Sequence, residues 1–298
     1  MIGQDPLKST LKKKAPHNPA AANLQKTLLG IPATLLIVLI VVSCIYPVIW
    51  IFMSSFKGAD EFLKPMWTLP QSLHLENYTR AWTEGNMGKY VINSALVVFP
   101  SIAVMILLGT GAAFGLEVMR WKLSRTVNVL FLIGIMVPIQ IVILPLFNMY
   151  YQAHLLDTRF ALILTYVAFG LPLVVFFLSG YFQSFPREIV EAAVVDGASI
   201  YQVFFKIALP MVQNAIVTVA LVQFFFLWND LLVSLTFTTN PEMRTVQSGL
   251  LAFTGQYGQR EWGPTFASIS MAVAPTVLIY LFLNRMVMKG MAAGAVKG

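Results

Sequence analysis

The side chains able to do chemistry fall in three places, and none of the three is built for making or breaking bonds. The first is residues 186–210, PREIVEAAVVDGASIYQVFFKIALP, which sets Glu188, Glu191 and Asp196 among alanines and apolar residues. The second comprises Gln223, Trp228, Asn229 and Asp230, with Gln140 earlier in the chain. Amides, a carboxylate and an aromatic face are what a polyhydroxylated ligand needs for bidentate hydrogen bonds and stacking. The same groups also serve helix-to-helix packing, and both readings stay open. The third is Gln256, Tyr257, Gly258 and Gln259, in the Thr- and Gly-rich stretch 237–262. Outside these, no G-x-x-x-x-G-K-[ST] run cradles phosphates and no glycine fingerprint follows a strand. No Ser/His/Asp set and no pair of carboxylates falls in one plausible pocket. The single cysteine, Cys44, forms neither a disulfide framework nor a metal-ligand spacing.

The first stretch reads as helix, turn, helix. Pro186 suits a helix start, where its missing N–H is no loss, and Glu188 and Glu191 lie near the positive end. Ile189, Ala192, Ala193 and Asp196 recur at helical spacing and give a narrow face of mostly small residues. Gly197 can take the left-handed conformation that ends a helix. Ser199 with Gln202 three residues on has capping-box spacing, and Pro210 closes the second helix. Such a hairpin can be structural, can read DNA, or can dock a partner.

The elements around it decide between these. Of the residues, 57% are hydrophobic and 11% charged, against about 25% charged in soluble domains. Intervals 27–56, 90–116, 126–156, 160–186, 207–229 and 262–284 hold no Asp, Glu, Lys or Arg. Each is long enough as a helix for a bilayer, which needs about 20 apolar residues. The chain is therefore expected to be an all-α polytopic membrane protein with six transmembrane helices, the hairpin joining helices 4 and 5. If 27–56 crosses first, segments 1–26, 117–125, 187–206 and 285–298 share one side and carry 13 of the 20 Lys and Arg. That bias puts both termini in the cytoplasm. The net charge of +7 is thus topological, and a nucleic-acid partner is not expected. The lysines of the tail 1–26 set orientation and touch anionic membrane lipid. The body runs 27–286, with the hairpin at 186–209, and 287–298 forms a second cytoplasmic tail.

Prolines mark bends: Pro138 and Pro145 in span 3 (about 126–151), Pro172 in span 4, Pro275 in span 6. A proline inside a span is tolerable where the break faces protein or water. Gln140 beside Pro138 therefore lines a polar path or makes an interhelical hydrogen bond. Span 5, about 210–236, carries Gln223 to Asp230 from mid-depth outward. The segment 54–89 is a solvated loop or part of a surface that receives an outside partner.

Glu191-Ala192-Ala193, then Gly197, then Ile207-x-Leu209-Pro210 resembles the EAA signature of permease subunits of binding-protein-dependent ABC importers, in the carbohydrate branch of the maltose-type second permease. The resemblance implies that residues 186–209 are a coupling helix seated in an ATPase cleft. Glu191 would then pair with a basic group there, Ala192 and Ala193 permit close approach, and Gly197 makes the turn. Glu188 and Asp196 belong to the same docking surface. It further implies a second permease subunit, two ATPase subunits holding Mg-ATP, and an extracytoplasmic sugar-binding protein touched by Gln256, Tyr257, Gly258 and Gln259. In the resembling branch the C-terminal tail inserts between the ATPases. The expected location is the bacterial cytoplasmic (inner) membrane, and the chain itself is expected to be no enzyme and to hold no cofactor or metal. Two other readings stand beside a sugar importer. One is a permease for a glycerol-phosphate-type solute. The other is an ion-coupled secondary transporter, which ordinarily needs ionisable groups at mid-membrane that the six intervals lack.

Overall fold

The computed structural model describes residues 19–119, 121–251 and 261–295, and every described element is helical. It forms two compact units, Met1–Ile51 and Phe52–Gly298. The first consists of most of α1 (Pro19–Ser54), whose stretch Thr34–Ser54 is long and apolar enough to cross a membrane. Helix thus begins inside the segment expected to be a tail; residues 1–18 lie outside the described residues.

In the second unit, α2 (Glu76–Thr83) precedes the long α3 (Met87–Glu117). Then come α4 (Ser124–Met136), α5 (Ile139–Gln152) and α6 (Arg159–Phe182). The core is the seam between α3 and α6, where Val97, Met105, Val174 and Leu178 are buried. Close approach there depends on glycine: a Cβ on Gly109 would sit 2.5 Å from Val174 Cγ1, and one on Gly170 would sit 2.3 Å from Met105 Sδ. In a bilayer, where apolar burial does not drive helices together, such close packing is a main source of association.

The hairpin consists of α7 (Arg187–Val195), α8 (Ile200–Val203), a π-helical turn at Phe204–Ala208 and α9 (Leu209–Met211). After it run α10 (Gln213–Trp228), α11 (Leu232–Phe237), α12 (Val246–Gly249) and α13 (Trp262–Ala295). Among the described residues, four helices are long and apolar enough to cross a membrane as single rods, and counting each of two bent pairs as one span brings the total to as many as six. The bend expected at Pro138 is a break: α4 and α5 meet at 92°. Val137 takes φ −78°, ψ 110°, the extended state that a following proline imposes. The other break, 72°, falls at Val212 between Ile200–Met211 and Gln213–Trp228, with Val212 at φ −97°, ψ 10°. Span 5 is therefore shorter than the stretch 210–236, its straight part ending at Trp228. Prolines 100, 145, 172 and 275 stay inside continuous helices.

The connections 55–86, 153–158 and, among the described residues, 238–251 with Glu261 alternate along the chain with the hairpin, and polar side chains staple them together. Asn77 donates to the carbonyls of Ser55 and Lys57, both at 2.9 Å. Asn93 donates to Glu242 O (2.8 Å) and Arg244 O (3.0 Å) and accepts from Arg159 at 2.9 Å. The Val246 N–H donates to Ser94 Oγ at 2.8 Å. Asp157 donates its N–H to Phe237 O, and its carboxylate accepts from the Thr239 hydroxyl and the Asn240 N–H, both 2.7 Å. Burial alone would raise the Asp157 carboxyl, but the bonds from Asn240 and Thr239 outweigh it and hold it below the usual range. Ion pairs Lys89–Glu242 and Arg80–Glu261 complete the layer.

Candidate functional site

The hairpin is built by local rules that its sequence states. The Ala198 N–H reaches Ala193 O (2.9 Å) and the Gly197 N–H reaches Val194 O (3.0 Å), the two bonds of a Schellman motif. Gly197 sits at φ +83°, where a Cβ crowds the backbone. Ser199 then caps α8: its hydroxyl accepts from the Gln202 N–H at 3.3 Å, and the Gln202 side chain accepts from the Ser199 N–H at 2.8 Å. This is the reciprocal capping box.

One side of the hairpin is rooted in the bundle. Val203 and Ala208 are fully buried, and the Phe204 ring lies 5.2 Å from that of Phe114 on α3. Phe114 in turn meets Phe182 at 5.8 Å, and Phe182 meets Phe185 at 6.0 Å. The other side is open. Glu188, Glu191, Ala192, Asp196 and Gly197 are exposed, while Ala193 is half-buried against the core. Among them stand exposed apolar side chains: Val195 at 86%, Tyr201 at 74%, Phe205 and Val194. Among the described residues, the three carboxylates have no ion-pair partner. An acidic and apolar surface on a rigidly capped turn suits contact with a basic, apolar socket.

A second site lies inside the bundle. The α4–α5 break, α6 and α10 line an open cavity of about 360 Å³. Its walls are largely apolar and include Gly134, Ile139, Phe169 and Phe226, and its polar groups are Gln223, Tyr166 and Asp230. Gln223 is buried and donates to Gly170 O at 3.2 Å. Asp230, just past the end of α10, accepts from Tyr166 Oη at 2.8 Å and from the backbone N–H groups of Ser234 (3.1 Å) and Val233 (3.4 Å).

The structure therefore brings Gln223 and Asp230 together and leaves their three companions elsewhere. Trp228 is buried, stacks on Phe224 at 5.3 Å and donates Nε1–H to Ala272 O at 3.0 Å, tying α10 to α13. Asn229 donates to Phe225 O at 2.8 Å and accepts from Gln247 at 3.1 Å. Gln140 is exposed beside the cavity wall at Ile139. Gln256, Tyr257, Gly258 and Gln259 lie outside the described residues. Tyr166 went unnoticed in the sequence, because one tyrosine in an apolar span 64 residues from its partner leaves no periodic signal.

At the stapled end, a further cavity of about 550 Å³ is lined by Phe62, His74, Arg80, Glu261 and Trp262 among others. Hydrogen bonding to Glu84 raises the Arg80 guanidinium, burial opposes this, and Glu261 adds to the rise. Among the described residues, no three His, Cys, Asp or Glu side chains gather as metal ligands.

Among the described residues, up to six crossings, a capped hairpin leading into the last bent pair and a cavity between the helices are the parts of a membrane permease. The family model for the inner membrane component of binding-protein-dependent transport systems matches residues 105–292, and the chain belongs to that family. It is a multi-pass inner-membrane permease subunit, and subunits of this kind carry no nucleotide site or cofactor of their own. The chain is 36% identical over 276 residues to the diacetylchitobiose uptake system permease protein NgcG of Streptomyces coelicolor, covering 92% of this chain and 91% of that one. It is 32% identical to the probable ABC transporter permease protein YurM of Bacillus subtilis, over 87% and 86% of the two chains. It is also 28% identical to the melibiose/raffinose/stachyose import permease protein MelC of the same bacterium, over 89% and 96%. A crystal structure of a bacterial ABC transporter involved in import of the acidic polysaccharide alginate shares its fold. The TM-score is 0.77 at 19% identity, covering 88% of this chain and 97% of that one.

Proposed function

We propose that this chain is a passive gate, moved from its hairpin side by nucleotide hydrolysis in partner subunits. It is the transmembrane permease of an ATP-driven importer of sugars or oligosaccharides; its relatives include permeases for diacetylchitobiose, starch degradation products and melibiose. The observation that carries the docking role is the hairpin itself. Its turn is fixed by the left-handed Gly197, its root is buried beside Phe114, and its acidic and apolar face is uncovered.

In this reading an ATPase seats on Glu188, Glu191, Ala192, Ala193, Asp196 and Gly197. Closure of the ATPase dimer draws the hairpin as a rigid body. The bundle yields where its rods are already broken, at Val137–Pro138 and at Val212, and the internal cavity changes the side to which it opens. A binding protein delivers solute at the stapled end; a similar alginate transporter has been solved in complex with its pentasaccharide-bound periplasmic protein. Residues 256–259 contribute to that contact, a second permease faces the cavity, and both termini lie in the cytoplasm.

The test is a cross-link. With Cys44 replaced by Ser, Val195→Cys in the assembled transporter should react across to the ATPase subunit, and the yield should depend on nucleotide. A hairpin cysteine modified only by solvent reagents, with the ATPase bound, would remove the docking role.

A further inference from the structure

The cavity says more about the solute than its volume does, given the permease reading above. Tyr166, itself buried at 6% exposure, and Asp230 are the only ionisable groups among the described residues that line it, and no Lys, Arg or His is present. Asp230, half-buried, accepts from one phenolic and two backbone donors, and a carboxylate at the end of a span is ordinarily partnered in this way. The lining also includes the aromatic rings of Phe169 and Phe226, and Gln223 supplies an amide from the same helix as Phe226.

We propose that this chain's share of the solute path rejects anions and accepts uncharged polyhydroxylated solutes, with Tyr166 and Asp230 as the specificity pair. The phenol donates to the carboxylate. A solute hydroxyl can take the phenol's place on Asp230 Oδ2, while the freed phenolic group donates to the solute in turn, so neither protein group loses its hydrogen bond. A uronate, sulfonate or phosphate brings a second negative charge to a carboxylate with no cation beside it among the described residues lining the cavity, and like charges at short range repel. The fold does not dictate this preference, since the transporter that shares it imports an acidic polysaccharide. The preference resides in these side chains.

The field can be measured without knowing the solute. Phe226 lines the cavity and is 62% exposed. Phe226→Cys in a Cys44→Ser background, assembled with its partner subunits in proteoliposomes, is treated with trimethylammonioethyl or sulfonatoethyl methanethiosulfonate. Each rate is normalised to that reagent's rate with free 2-mercaptoethanol. The cation-to-anion ratio should exceed one by about ten-fold, and Asp230→Asn should bring it close to one. Tyr166→Phe, which leaves the charge in place, should keep the ratio high. A ratio near one with Asp230 intact, a ratio that Asp230→Asn leaves unchanged, or a thiol that neither reagent reaches would each overturn the proposal. Sugar uptake by the Cys44→Ser parent complex is followed in parallel with and without ATP. Loss of ATP dependence there would strike the importer reading and leave the cavity's charge preference as measured.

Discussion

Replacing Gly197 by alanine isolates the backbone geometry of the hairpin from everything else. A Cβ at that position meets nothing within 4 Å, so no clash enters. What remains is φ +83°, and holding an L-residue in the left-handed region costs about 1–2 kcal/mol. The two Schellman bonds, the capping box and the buried root at Val203, Phe204 and Ala208 oppose that strain. Opening of the turn should therefore rise by roughly 5- to 30-fold. Hydrogen exchange on the purified complex reads this directly: protection of the segment around Gly197 and Ala198 should fall by that factor, with binding-protein-dependent uptake reduced alongside. Gly111→Ala is the control, since its Cβ also meets nothing within 4 Å but the residue lies in the helical interior of α3. There alanine should stabilise the helix by about 1 kcal/mol. Equal protection at the hairpin in wild type and Gly197→Ala would refute the claim that one left-handed residue sets its shape.

Three further outcomes are expected. Glu191→Arg reverses the charge of an exposed hairpin residue; membrane insertion should be intact and ATP-coupled uptake abolished, and near-normal uptake would count against the docking role. Asn93→Ala removes two donors and one acceptor from a buried site, about 3 kcal/mol at roughly 1 kcal/mol per bond. Limited proteolysis should then cut between residues 238 and 251, where wild type resists, and an unchanged pattern would show that the staple is redundant. The Asp157 carboxyl is held below its usual value, so its contribution is complete above the unfolded value of about 3.9 and is lost as pH falls through the lower folded value. Exchange protection of Thr239 and Asn240 should hold at pH 5 and fade below about pH 4, and Asp157→Asn should flatten that dependence.

What the sequence revealed and what it concealed follow from range. The hairpin was legible because each device in it is local: Gly197 for the turn, Ser199 and Gln202 for the cap, and small residues one helical turn apart. The crossings were legible because charge is absent over whole intervals. Pro138 announced a bend, and the extended state it forces on Val137 accounts for the break. The break at Val212 carries neither proline nor glycine at the residue itself and was not visible. The substrate-path residues were half legible. Polar character in a span marks a residue as partnered without naming the partner, so Trp228, bonded to Ala272 on α13, and Gln223, facing the cavity, looked alike. Tyr166 becomes visible only when span 4 is folded against Asp230.

A permease subunit without a nucleotide site draws its power from its partners. Sugar uptake into proteoliposomes decides this, comparing the complete complex with ATP against the permease subunits alone under an imposed proton or sodium gradient. Accumulation is expected in the first and none in the second. Gradient-driven accumulation without the ATPase subunits would contradict it.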